Sequence, residues 1–261
     1  SGSDMQRTDI TDRLESMGVR IAEGHDARNV ADAEVVVYSS AVRPSNQEVV
    51  AARARGLAVV PRAEVLAELM QLRQGIAVTG AHGKTTTTSM IALILDEAGL
   101  DPTAVIGGRV SSFGGNARLG RGKYLVAEAD ESDRSFLKLT PRFAVITNID
   151  REHLDAYRGF DDLKAAFVQF ANSVPANGVV ILCADDPHLR SMRADIKRHV
   201  VTYGLQEGAD VMASNLQMKG FGSVCSVRSR RPGGRDVELG ELRLSVPGRH
   251  NVLNALAAGA M

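Results

Sequence analysis

Residues 79–88 read Thr79-Gly80-Ala81-His82-Gly83-Lys84-Thr85-Thr86-Thr87-Thr88. An apolar triplet, Ile76-Ala77-Val78, precedes them, and a helical stretch follows from about Thr85 to Ala98. Strand, Gly-bearing loop and helix in that order make a phosphate cradle. Glycines let backbone N–H groups approach phosphate oxygens, and the helix N-terminus adds the positive end of its dipole. The loop is two residues shorter than the GxxxxGK[ST] pattern but keeps its working parts. Lys84 is a point charge that can reach the β and γ phosphates, and Thr85 offers a hydroxyl to Mg²⁺. Gly80, Ala81, His82, Gly83, Lys84, Thr85 and Thr86 are the candidate ATP-binding residues. A Gly-rich turn with a chance lysine is the other reading. The strand before, the helix after and four threonines at the helix start speak against it.

Downstream, three more strings sit where strands end. Tyr124-Leu125-Val126-Ala127 leads into Glu128-Ala129-Asp130-Glu131-Ser132-Asp133. In nucleotide-binding α/β folds the ligand lies beyond the carboxyl ends of the strands. Glu128, read as the first residue past its strand, is either a Mg²⁺ ligand or part of a solvated acidic loop. Phe143-Ala144-Val145-Ile146 runs into Thr147-Asn148-Ile149-Asp150-Arg151-Glu152-His153-Leu154-Asp155. His153 fits a second Mg²⁺ or a reacting carboxyl, although a lone histidine there more often serves only its loop. Asn148 and Asp155 suit turn formation equally well. Pro247-Gly248-Arg249-His250-Asn251-Val252-Leu253-Asn254 opens the last helix. Asn251 and Asn254, three apart, share a face that can read an adenine edge; helix capping by Asn251 is the plainer alternative.

Working outward, the fold class is α/β. Helix Phe160–Phe170 and strand Gly178–Leu182 extend the series begun at Ile76, and buried strands separated by helices imply a mostly parallel sheet. From about residue 200 alternation such as Glu241-Leu242-Arg243-Leu244-Ser245-Val246 predicts a small antiparallel appendage. Before Gln74 lies a separate alternation: helix Thr11–Met17, buried strand Val35–Tyr38 with the turn Ser39-Ser40-Ala41, helix Asn46–Arg55, strand Leu57–Val60 and helix Arg62–Met70 opened by Pro61. Domain limits of 1–74 and 75–261 follow.

The 261 residues are 44% hydrophobic and 24% charged, with 31 basic and 31 acidic side chains. That balance points to no nucleic-acid or membrane partner, which would call for a basic excess. No apolar run approaches the ~18 residues of a membrane span. Cys183 and Cys225 stand far apart without a CxxC pattern, so a reducing, cytoplasmic setting fits. Ser1-Gly2-Ser3-Asp4 reads as a loop already under way, and Ala255–Met261 as a helix without a stop signal. Both ends suggest a piece of a longer polypeptide.

TGAHGKTTTT (79–88), EADESD (128–133), TNIDREHLD (147–155) and PGRHNVLNALAA (247–258), in this order and spacing, resemble the Mur ligase family. GSD (2–4), VVVYSSAV (35–42), PRAEVLAELM (61–70) and DDPHLR (185–190) extend the resemblance over essentially the whole chain. The family implies three domains. Residues 1–74 would be a truncated Rossmann-like UDP-binding domain and 75–261 a P-loop-type central ATPase domain, with the C-terminal amino-acid-binding domain absent. The implied reaction is ATP-dependent amide formation between UDP-N-acetylmuramate and L-alanine through an acyl phosphate. Lys84, Glu128 and His153 would be catalytic, with Thr85, Glu128 and His153 holding Mg²⁺. Asn251 and Asn254 would contact adenine, and Asp4, Ser39, Ser40 and Ala41 the UDP substrate. Ala81 departs from the threonine common in the family, at a position expected to contribute mainly backbone N–H. Phe167 occupies the place where later-acting members carry a carbamylated lysine, with Lys164 three residues earlier. That favours the L-alanine branch or its tripeptide-recycling relative.

Overall fold

The computed structural model describes residues 1–110, 113, 115–152, 154–230 and 234–261. They divide into two compact units, Ser1–Glu68 and Leu69–Met261.

The first unit alternates short strands and helices: β1 (Gly2–Asp4), α1 (Asp9–Ser16), β2 (Ile21–Glu23), β3 (Val35–Tyr38), α2 (Gln47–Ala54), β4 (Ala58–Pro61) and the start of α3 (Arg62–Gln71). Gly2–Asp4 is therefore a strand, not the loop its small residues suggest. It pairs in parallel with β2, placing Ser3 opposite Ala22. β3 and β4 form a second two-stranded parallel sheet. Val35 and Val37 are 52% and 49% exposed, so β3 is covered on one face only, against the expectation of a fully buried strand. Helix signals behave as side-chain chemistry requires. Thr8 and Thr11 form a reciprocal capping box on α1. Asn46 caps α2 by accepting the N–H groups of Glu48 and Val49.

The second unit is built on one ten-stranded sheet. Its strands are β5 (Gln74–Thr79), β6 (Thr103–Val110), β7 (Gly115–Arg118), β8 (Tyr124–Glu128), β9 (Phe143–Ile146), β10 (Val179–Cys183), β11 (Val200–Gly204), β12 (Val211–Lys219), β13 (Gly222–Arg230) and β14 (Asp236–Leu244). Spatial order is β14-β13-β12-β11-β10-β9-β5-β8-β6-β7. From β12 across to β6 every pairing is parallel; β7, β13 and β14 run antiparallel at the two edges. The antiparallel segment expected as an appendage thus continues the main sheet through β12. β6 and β7 were not legible as strands: their Gly-rich text lacks a clean apolar run.

Helices α4 (Lys84–Glu97), α5 (Phe160–Ser173), α6 (Pro187–Met192) and α7 (Arg249–Gly259) complete the unit. The central strands are apolar on both faces: Ile76, Ala77, Val78, Val126, Ala127, Ala144 and Val145 are fully buried, as two covered faces demand. Phe136, in a 3-10 turn after β8, packs on α5 with ring centroids 5.3 Å from Phe167 and 5.1 Å from Phe170. This aromatic cluster seats the acidic loop that follows β8. Phe136→Ala should cost about 3–5 kcal/mol, measured as a shift in the urea midpoint at constant slope. A cost below about 1 kcal/mol would show that the cluster is not a packed core.

Candidate functional site

Pairing register sets up the site. Val78 of β5 lies opposite Glu128 of β8 and Val145 of β9, and Thr79 opposite Ile146. Three parallel strands therefore end side by side, and their following loops meet at one crest, where α/β sheets bind ligands. Glu128 is the last residue of β8 rather than the first beyond it.

The loop from Gly80 to Gly83 is stapled to the end of β9. Ala81 N–H donates to the Asn148 carbonyl at 3.2 Å. His82 N–H donates to Asn148 Oδ1 at 2.8 Å, and Asn148 Nδ2 returns a bond to the His82 carbonyl at 2.9 Å. Thr147 Oγ1 donates to the His82 carbonyl at 2.7 Å. Thr147 and Asn148 are thus loop braces, a role that reading Asn148 as a turn former misses. Gly80 and Gly83 have φ of 129° and 83°, a region that favours glycine. Gly83 sits at the N-cap of α4 without a capping side chain, which leaves the helix N-terminus open toward an anion.

Lys84 opens α4, and its ammonium is fully engaged. Nζ donates to the Gly80 carbonyl at 2.7 Å and to both carboxylate oxygens of Glu131 at 3.0 Å. Glu131 is 3% exposed. Its backbone carbonyl accepts the Tyr157 hydroxyl. Burial pushes the Tyr157 phenol up to about 12, so it keeps its proton and stays a donor across the physiological range. Arg134 lies over the same ring, 4.8 Å from its centroid, and pairs with Asp162 at 2.8 Å. Sequence reasoning singled out Glu128 in the acidic string and overlooked Glu131; what separates them is depth, which spacing does not encode.

Thr85 Oγ1 donates to Glu128 Oε2 at 3.2 Å, while Glu128 Oε1 accepts the Gly107 N–H at 2.6 Å. The structure thus brings the two expected metal ligands together, and a hydroxyl beside a carboxylate offers the hard oxygen donors Mg²⁺ takes. His153, the third expected ligand, lies outside the described residues. Next to it in sequence, Asp150 and Glu152 approach His82 Nε2 at 3.5 and 3.8 Å, all three exposed. The Arg151 N–H, aided by His82, holds the Asp150 carboxyl below its ordinary value. Thr86 follows Thr85 on α4; Thr88 and Ser89 spend their hydroxyls on the carbonyls of Lys84 and Thr85 at 2.8 and 2.7 Å.

Of the two asparagines on α7, Asn254 is 6% exposed. Its Oδ1 accepts the Thr87 hydroxyl at 3.3 Å, which ties α7 to α4 beneath the loop. Asn251 does not cap the helix: Gly248 holds that position, and Asn251 Nδ2 donates to the Pro247 carbonyl at 2.7 Å. Their shared face is real, since Asn254 Nδ2 approaches Asn251 Oδ1 at 3.5 Å.

Within the first unit a cavity of about 1400 Å³ is lined by, among others, Asp4, His25, Ser39, Ala41, Arg43 and Glu48. It gathers three of the four residues expected against UDP, and Ser40 lies between two of them. Glu48 organises its wall, accepting Ser3 Oγ and Asn29 Nδ2 at 2.7 Å each and contacting His25 Nδ1 at 3.1 Å. Burial raises the Glu48 pKa, but these bonds outweigh it and hold the carboxyl below its ordinary value. Phe167 is 1% exposed in the aromatic core, and Lys164 pairs with Asp161 at 2.6 Å. Among the described residues no helix is long and apolar enough to cross a membrane.

Residues 78–261 match the family model described as Mur ligase middle domain, and residues 1–74 the model described as Mur ligase family, catalytic domain. Over its full length the chain is 53% identical to the UDP-N-acetylmuramate–L-alanine ligase of Syntrophus aciditrophicus (strain SB), covering 53% of that protein. Its fold is similar to the UDP-N-acetylmuramate–alanine ligase of Thermotoga maritima, with TM-score 0.82 and 31% identity over 98% of this chain and 57% of that one. It is also similar to the UDP-N-acetylmuramate:L-alanyl-gamma-D-glutamyl-meso-diaminopimelate ligase of Neisseria meningitides, with TM-score 0.85 and 27% identity over 99% of this chain and 84% of that one. The chain spans about half the length of the curated relatives it matches.

Proposed function

The chain belongs to the Mur ligase family, and on that premise we propose that it is the substrate- and ATP-binding part of a ligase joining L-alanine to UDP-N-acetylmuramate. The observation that carries the reading is the crest where Lys84, Thr85 and Glu128 meet behind a glycine loop. Residues 1–74 take the UDP substrate through Asp4 and Ser39–Ala41. Residues 75–261 take ATP through Gly80–Thr86, with Asn251 and Asn254 toward the adenine. The setting is cytoplasmic.

In the proposed reaction a substrate carboxylate oxygen attacks the γ-phosphorus of ATP. An acyl phosphate forms and ADP departs with the bridging oxygen. The L-alanine amine then attacks the acyl carbon, the C–O bond to phosphate breaks, and the amine gives up a proton as the amide forms. Backbone N–H groups of the loop and Lys84 stabilise charge on the transferring phosphoryl. Thr85, Glu128 and, by resemblance, His153 would hold Mg²⁺. When bound, that ion supplies positive charge beside the phosphate oxygens.

Phosphate release by the full-length polypeptide carrying this sequence tests the reading, given ATP, Mg²⁺ and UDP-N-acetylmuramate. Turnover with L-alanine supports it. Turnover only with murein tripeptide moves the protein to the recycling branch, whose fold resemblance is equally close. No turnover with either favours a nucleotide-binding module without catalysis. Thr85→Val, which keeps shape and deletes the hydroxyl, should raise the Mg²⁺ concentration for half-maximal rate by about tenfold. An unchanged Mg²⁺ titration removes Thr85 from the metal site.

A further inference from the structure

Glu131 is not among the residues assigned to phosphate or metal, yet it is the most deeply buried carboxylate at the crest. Its two oxygens stand at equal distance, 3.0 Å, from Lys84 Nζ. A lysine ammonium has three protons to donate. Here they face the two Glu131 oxygens and the Gly80 carbonyl, with the Ala81 carbonyl at 3.5 Å. The cation that should meet the β and γ phosphates is therefore saturated by the protein itself. Phosphate can engage Lys84 only by taking a donor away from one of these acceptors.

We propose that Glu131 is a positioning residue for Lys84, a latch that holds the ammonium against the loop and competes with nucleotide phosphate for it. Two features make the latch firm. Glu131 sits in a turn clamped by Tyr157, whose hydroxyl donates to its carbonyl, and by Phe136, which is fully buried five residues later and donates its N–H to the Asp130 carbonyl. A buried carboxylate also cannot release a paired cation without a large desolvation cost. Lys84 therefore stays near Glu131 when nucleotide arrives and swings one donor to phosphate rather than leaving. The latch lowers affinity for nucleotide and keeps Nζ against the loop. This inference rests on the ATP reading of the loop.

The test is calorimetric binding of ADP and AMP, with Mg²⁺, to the full-length polypeptide and its Glu131→Gln variant. The amide offers one acceptor and no charge, so the latch loosens. ADP, whose β-phosphate reaches Lys84, should bind about tenfold more tightly, the worth of one charge-assisted hydrogen bond. AMP, which ends short of Lys84, should bind as before. Glu131→Met, apolar and of similar volume, serves if the amide is poorly tolerated, with the same expectation. Unchanged or weakened ADP binding in both variants, or an equal shift for ADP and AMP, overturns the latch. A wild-type protein that binds neither nucleotide overturns the ATP reading first, and the latch with it.

Discussion

Replacing Lys84 by methionine is expected to lower turnover by about 10³-fold or more, the scale on which a single cation at a transferring phosphoryl group counts. Among the described residues its ammonium is the one cation hydrogen-bonded into the glycine loop. Methionine keeps an unbranched side chain one atom shorter and removes the ammonium, with both its charge and its hydrogen-bond donors. The same change should also destabilise the fold, because it strands the Glu131 carboxylate, 3% exposed, without its partner. Breaking a buried pair in this way costs about 3–5 kcal/mol, most of it the penalty on the charge left behind. The two losses have different origins and can be separated. Adding Glu131→Gln to Lys84→Met removes the stranded charge, so the double variant should regain most of the stability and none of the turnover. Urea unfolding and phosphate release on the four proteins of the cycle measure both. Turnover recovered in the double variant would mean that Lys84 acts only through folding, and the assignment of its catalytic role would fall.

Much of this site was open to reading because its chemistry rides on backbone rules. A strand, two glycines and a helix start fix where a phosphate loop lies, and parallel strands place the loops after β5, β8 and β9 at one crest. Thr85 and Glu128, 43 positions apart, meet at 3.2 Å for that reason. What stayed hidden depends on the third dimension of packing. Glu128 and Glu131 are two carboxylates in one acidic string, and only burial tells the open one from the one locked under Lys84. Asn148 looks like a turn residue and Thr147 carries no signal of its own, yet their side chains staple the loop across 66 and 65 positions. Asn254 shares a helix face with Asn251, but whether that face looks outward or into the protein depends on how α7 meets α4. The strands at 103–118 escaped for a different reason. Their glycines let backbone approach closely, Gly107 to the Glu128 carboxylate among them, and so erase the apolar pattern that marks a strand.

The staple makes Gly80 the position where one methyl group should do most harm. Its φ of 129° is a conformation that L side chains rarely adopt. A Cβ there would fall well inside contact with Thr147 Oγ1 and lie 2.8 Å from the Asn148 carbonyl oxygen and 3.0 Å from its nitrogen. Backbone of β9 cannot step aside, since Thr147 N–H is bonded to the Thr79 carbonyl and Asn148 holds both Ala81 and His82. The loop must move instead, and with it the N–H groups meant for phosphate. Gly80→Ala is expected to cost about 2–4 kcal/mol, strain and overpacking together. ADP affinity should fall by about 100-fold, as two or more phosphate bonds are misaligned. Gly99→Ala is the control, because φ is 73° there but nothing lies within 4 Å of the added carbon. That variant should lose only about 1–2 kcal/mol from backbone conformation and bind ADP normally. Gly83→Ala should fall between the two. Its Cβ would press on the Asn254 side chain, which can yield by giving up the Thr87 hydroxyl but not without disturbing the start of α4. Equal stability losses at Gly80 and Gly99 would show that conformation alone, not the staple to β9, governs the loop. Normal ADP binding in a folded Gly80→Ala protein would show that the loop does not cradle phosphate at all.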